Sequence, residues 1–351
     1  IFSLSSVTGA DSFTAMLLNQ PLAILSTLAF VAICFVIIRG GIKDGIEKFN
    51  KVGMPALFIM LLIVILRAVT LPGAMEGLEF MFAPNWEPFT TMSGFLKVLS
   101  AAGGQMFFSL SLAMGITVTY GSYLSKKESL VKNSAIIIVS DTIVAVMAGL
   151  AVLPAAFALG GEDAALGGPK LLFITMQDVF NSMGAFGPIF GILFFLFVTL
   201  AAITSAIALV EVLVTFILDH QAAKGKSPKR GKIVALGCLI VMVEAALVAA
   251  DGLGSNGLWI PFQSNGLNFS GSWLDFMDFI SEGIAMPLGA LIMSIAVWFI
   301  KPKTIQDEVL QGGRFSGGLY NFYQFCIYVA CPIGMAFILY GQIATFISPR
   351  G

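Results

Sequence analysis

Eight apolar runs constrain this chain more than any other feature: 21–38, 52–72, 96–125, 134–158, 185–218, 233–252, 277–300 and 319–347. Each can supply the roughly 20 residues that a helix needs to cross a hydrocarbon core. Of the 351 residues, 58% are hydrophobic and 11% charged, too few charges to cover a soluble fold of that length. Strand-like alternation with turn signals is absent, so a barrel is not expected. The fold class implied is an all-α polytopic membrane protein with eight transmembrane helices. Runs 96–125 and 185–218 exceed a plain span, which predicts tilted or broken helices there.

The basic residues predict sidedness. Arg39, Lys43, Lys48 and Lys51, then Lys126, Lys127 and Lys132, then Lys224, Lys226, Lys229, Arg230 and Lys232, and last Lys301, Lys303 and Arg314 all fall in one alternate set of loops. That is 15 of the 19 Lys and Arg residues, and the positive-inside rule makes those loops cytoplasmic in a multi-pass plasma-membrane protein. The run Lys224–Lys232 is expected to face anionic lipid. The net charge of −1 says nothing of partners, because charge is segregated by side. Eight spans put both termini outside, and the chain starts at Ile1 without a signal peptide. An odd number of earlier spans is therefore expected to precede it.

Several function classes find no support. There is no phosphate loop, nucleophile–base pair, zinc motif or nucleic-acid patch, so neither an enzyme nor a nucleic-acid partner is expected. Cys34, Cys238, Cys326 and Cys331 lie inside spans, with neither a disulfide framework nor metal-ligand spacing. His220 ends a span beside basic residues and suits an interfacial structural role.

Residues 98–125 carry no charge, yet the middle of this run is polar: Ser109, Ser111, Gly115 and Thr117 lie at membrane depth. Backbone that unwinds inside a bilayer lines a cavity or is covered by protein, and broken helices at the midplane are where secondary transporters bind substrate and ions. Small residues packing against neighbouring helices explain the run equally well. Four spans carry one interior carboxylate: Asp141, Glu211, Glu244 and Glu282. Asp141 sits about eight residues into its span, at a cost of about 2.5–3.5 kcal/mol unless paired or ion-bound. In the fifth span Thr204 and Ser205 follow Ala201 by one turn, a set of oxygens suited to a hard monovalent cation. The same hydroxyls can simply bond back to the preceding turn. Gly45 and Pro55, flanking the start of the second span, can open a water path or mark an ordinary helix entry. Outside the membrane, the amphipathic stretch 171–180 is expected to plug a vestibule, and 273–279 forms a second apolar-acidic patch.

With these residues in view, the chain resembles a bacterial neurotransmitter:sodium symporter with the LeuT-type inverted-repeat fold. The motifs are Gly104-Gln-Met-Phe-Phe-Ser-Leu-Ser-Leu-Ala-Met-Gly115 with Thr119-Tyr-Gly-Ser-Tyr123, and Phe194 through Glu211; Leu71-Pro-Gly73 and Leu153-Pro-Ala-Ala-Phe-Ala158 also fit. The eight spans resemble the family's fourth to eleventh helices, so the first three are expected to be missing from this chain. Residues 1–95 would end the first repeat and carry an outer loop, 96–300 would form the second repeat, and 301–351 the final helix.

The resemblance implies two sodium sites, each completed by the missing first helix. Ser109 and Asp141 match the first site; Ala201, Thr204 and Ser205 match the second. Phe108 matches an aromatic cover over the substrate, and Ser111, Met114, Ser205 and Leu209 would line an apolar pocket suited to a hydrophobic amino acid. Asp278 matches an outer gate, Tyr123 and Asp219 an inner gate, and Gly45–Pro55 a spacing tied to cytoplasmic sodium release. Two departures stand out. Asp141 replaces the Asn of many relatives, and Ala145 follows one turn later, which implies chloride-independent transport. Ala113 replaces a frequent Gly, placing a Cβ in the unwound segment. The function implied is sodium-coupled amino-acid import by alternating access. Proton coupling through Asp141 is the alternative in the same fold, and a non-transporting scaffold or receptor is the alternative if the chain is naturally short.

Overall fold

The computed structural model describes residues 9–41, 46–125, 127–160, 171–227, 229–261, 271–310 and 317–347. Among them, seven helical segments are long and apolar enough to cross a membrane: Gln20–Arg39, Lys48–Ala68, Leu130–Ala158, Gly184–Ala223, Arg230–Asp251, Trp273–Phe299 and Tyr320–Ala344. The remaining run, 96–125, is not one helix. It divides into α5 (Met92–Ser109) and α6 (Ile116–Ser122), as its polar middle predicted.

The chain forms two compact units. The first takes residues 1–84 and 143–256. In it, α1 (Gly9–Leu18), α2 (Gln20–Arg39), α3 (Lys48–Ala68) and α4 (Ala74–Phe82) precede the second half of α7 (Leu130–Gly160). Then follow α8 (Met176–Ser182), α9 (Gly187–Ala223) and α10 (Arg230–Asp251). α2 starts where the Asn19 side chain accepts from the Leu22 N–H, satisfying one free donor of the first turn. α10 stops at Gly252, whose φ of 58° lets its N–H turn back to the Val248 carbonyl. α2, α9 and α10 enclose a core of Val31, Cys34, Ile38, Ile203, Ile207, Val234 and Cys238. α3, α8 and α9 share a second core with Ala151 and Ala155 of α7.

The long run 185–218 was expected to tilt or break; α9 does not break, running for 37 residues with hydrophobic side chains on every face and no interior Pro. Stretch 171–180 packs its apolar face: Met176, Val179 and Phe180 are buried with Leu61, Val64 and Phe194. Asp178 on the same short helix accepts from the Gly9 N–H at 2.7 Å, anchoring α1. Residues 161–170 lie outside the described residues.

The second unit takes residues 85–142 and 257–351. It holds α5, α6, the first half of α7, α11 (Trp273–Asp278), α12 (Met286–Ala296), α13 (Pro302–Leu310), α14 (Gly317–Phe325) and α15 (Cys331–Ile347). Wider π-type turns at Phe279–Ala285 and Cys326–Ala330 join α11 to α12 and α14 to α15. Phe107, Met286 and Ile338 form its core, fixing α5 against α12 and α15. The expected outer patch 273–279 makes about the first two turns of a membrane-length segment, with Phe276 buried beside Ile260.

Candidate functional site

The break between α5 and α6 is a run of left-handed residues. Ser111 has φ 54°, Ala113 62° and Gly115 78°. Only glycine adopts that region without cost, so Ser111 and Ala113 are held there by their surroundings. The end of α5 tightens first: Ser111 N–H bonds the Phe108 carbonyl at 3.1 Å and Leu112 N–H bonds the Phe107 carbonyl at 2.9 Å. Among the described residues, no backbone N–H bonds the carbonyls of residues 109–114. Inside a membrane such oxygens need a partner, which a cation or another polar group would supply.

Phe107 and Phe108 are neighbours with opposite fates. Phe107 is fully buried in the core, whereas Phe108, about 100° further round α5, is 55% exposed. Met114 packs partly buried against Phe107, Met286 and Ile338. Gly289 of α12 faces Ala113, and a Cβ added there would lie 3.3 Å from the Ala113 carbonyl oxygen.

The structure brings Ser109 and Asp141 together. The Ser109 hydroxyl lies 2.7 Å from both carboxylate oxygens of Asp141 and donates to them. Ser109 is the last residue of α5 and Asp141 lies in the first half of α7, so this contact ties the lip of the break to a neighbouring helix. A carboxylate, a hydroxyl and unbonded carbonyls make an all-oxygen donor set, which fits a hard cation.

On α9, Thr204 donates its hydroxyl to the Ala201 carbonyl at 2.8 Å, the back-bond open to a helical threonine. The lone pairs of its oxygen remain available to a cation. Ser205 and Leu209 follow one turn apart and are both exposed. These α9 residues belong to the first unit, and Phe108, Ser109, Ser111, Met114 and Asp141 to the second.

Of the remaining candidates, Tyr123 caps the end of α6 with its ring edge-on to Tyr120 at 6.0 Å. Asp219 is exposed near the end of α9, and Asp278 is exposed at the end of α11. Pro55 is exposed inside α3, and Gly45 lies outside the described residues.

One feature was not readable from sequence. Arg230, near the end of the basic run, pairs with Glu211 at 2.5 Å, Glu211 being fully buried. The same guanidinium donates to the Ile38 carbonyl at 3.2 Å, so one side chain ties α2, α9 and the start of α10 together. A buried carboxylate in a span signals that a partner exists, but nothing in the spacing selects Arg230 from five neighbouring basic residues.

Residues 14–350 match the model of the Sodium:neurotransmitter symporter family. An uncharacterized sodium-dependent transporter of Haemophilus influenzae is 37% identical over 83% of this chain and 60% of its own length. The uncharacterized sodium-dependent transporter YhdH of Bacillus subtilis is 33% identical over 85% of this chain and 61% of its own. The chain thus spans about three fifths of the length of these curated relatives. The crystal structure of MhsT in complex with L-phenylalanine superposes with a TM-score of 0.80 at 30% identity, covering 95% of this chain and 71% of that one.

Proposed function

The chain belongs to the sodium:neurotransmitter symporter family, transporters and not enzymes, and from that premise we propose that it forms the larger part of a sodium-coupled amino-acid importer working by alternating access. The Ser109–Asp141 contact at the lip of the unwound segment supports this reading most directly. Asp141 and Ser109 hold one sodium ion, helped by carbonyls of the break. Ala201, Thr204 and Ser205 hold a second. Phe108, Ser111, Met114, Ser205 and Leu209 line the substrate pocket, whose apolar character suits a hydrophobic L-amino acid. The phenylalanine bound in the MhsT crystal structure is such a ligand. Asp278 gates the outer side, Tyr123 and Asp219 the inner side, and the Gly45–Pro55 segment releases sodium to the cytoplasm, where the basic loops lie.

Ions bound beside the substrate favour the occluded state in proportion to their differential affinity for it, which is the source of coupling. Asp141 supplies a fixed negative charge at the first ion site, so transport is chloride-independent. The test is binding of a radiolabelled amino-acid panel to the full-length protein in sodium, potassium or neither. Sodium-dependent binding of an apolar amino acid, lost in Asp141→Ala and Thr204→Ala, is the expected result. Uptake indifferent to sodium but driven by a pH gradient would replace it with proton coupling. Asp141→Asn is expected to make binding chloride-dependent; a variant equally active with and without chloride would refute that role for the carboxylate.

A further inference from the structure

α5 and α15 approach closely along one stretch and then part. At Gly103 and Gly104 an added Cβ would collide with Ile338 and Gln342, so the two helices meet there almost backbone to side chain. Gln342 also donates to the Ser100 carbonyl at 3.2 Å. Beside this contact they leave a groove of about 850 Å³ whose lining includes Ser93, Leu96, Lys97 and Tyr340, with Ser100 and Gln342 at the contact itself. It adjoins a second hollow of about 450 Å³ along α15, lined by Ile333, Ala336, Phe337 and Tyr340.

The order of polarity along this track is informative. Lys97 is exposed five residues into α5 and pairs with no carboxylate among the described residues. Ser93 and Tyr340 add hydroxyls at the same end. α15 belongs to the apolar, membrane-length segment Tyr320–Ala344, and Phe337 and Ile333 lie about 5 and 10 Å back along it from Tyr340 at 1.5 Å per residue. Both are half exposed. A cation and hydroxyls at the membrane boundary followed by an apolar trough toward the midplane is the polarity of one lipid in its leaflet. Tyrosine and lysine at that level are the usual interfacial anchors.

We propose that this groove is a specific seat for an anionic glycerophospholipid, its phosphate on Lys97 and an acyl chain along Phe337 and Ile333. The unpaired cation selects an anionic amphiphile over a neutral one, and the trough selects a lipid over free phosphate. The seat is independent of the transport reading, since it uses none of the ion or substrate residues.

The experiment is native mass spectrometry of the full-length protein in detergent, titrated with phosphatidylglycerol or phosphatidylcholine of the same chain length. One phosphatidylglycerol should be retained about fivefold more tightly than phosphatidylcholine, the worth of about 1 kcal/mol for one lysine near anionic headgroups. Lys97→Gln should erase the preference and Lys97→Arg keep it, while Phe337→Ala should weaken both lipids alike. Equal affinity for the two lipids, a preference that survives Lys97→Gln, or no retained lipid would overturn the proposal. Retention of Lys97→Arg at wild-type strength shows that the groove is folded in a substituted protein.

Discussion

Glu211 shows how much one side chain can hold when it is taken out of water. Its carboxylate is fully buried and reaches Arg230, which in turn holds the Ile38 carbonyl. Removing one member of such a pair leaves the other uncompensated, which costs 3–5 kcal/mol when both are buried. Arg230 keeps 27% of its side chain exposed, so the expected loss for Glu211→Ala is nearer about 2–3 kcal/mol. Thermal unfolding in detergent reads this directly, and Glu211→Leu with Arg230→Met should lose less than Glu211→Ala alone. A double variant worse than the single one would show that the pair itself stabilises. At this scale the sequence was partly legible. Asp141 and Ser109 were singled out from charge and polarity at membrane depth, and they meet. Arg230 was grouped with lysines, because the pairing is made by helices packing side by side and leaves no mark in local spacing.

The broken helix was legible as an element for a physical reason. A run without charges but with Ser, Gly and Thr in its centre cannot satisfy the bilayer as a uniform apolar rod. Its strained residues were less so: Ala113 is held at φ 62°, facing Gly289 of α12. An alanine in the left-handed region costs about 1–2 kcal/mol relative to its preferred conformations, and glycine largely avoids this. Ala113→Gly is therefore expected to leave the thermal midpoint unchanged or raise it, while Ala113→Val lowers it, since a β-branched residue is an outlier at positive φ. A fall with glycine comparable to that with valine would mean that the break is set by side-chain packing and not by backbone strain. For segments 171–180 and 273–279 the amphipathic pattern says that one face is covered, not what covers it. Here the covers are a shared core with α3 and α9 for the first and Ile260 for the second.

For the molecule as a whole, membrane class and helix number followed from hydrophobic length, whereas partnerships among helices did not. α2, α3 and α9 are apolar on every face, so no stripe reveals which side is buried. Ion coupling has its own signature at this scale. If sodium binds the folded protein alone, an excess of about a hundredfold over its dissociation constant adds about 2.7 kcal/mol to stability. The full-length protein should melt at a higher temperature in sodium than in equal potassium, and Asp141→Ala should shrink that gap; identical melting in the two salts would count against both ion seats. The continuous α9 bears on how such binding is felt elsewhere. Thr204 and Asp219 stand on the same unbroken rod, 15 residues and about 22 Å apart at 1.5 Å per residue. With no hinge between them, the rod behaves as a lever: about 10° of tilt pivoting at Thr204 sweeps Asp219 through about 4 Å, more than the reach of a hydrogen bond. Were Thr204 to hold an ion, a small reorientation of the rod there would be geared up into the making or breaking of a polar contact at Asp219.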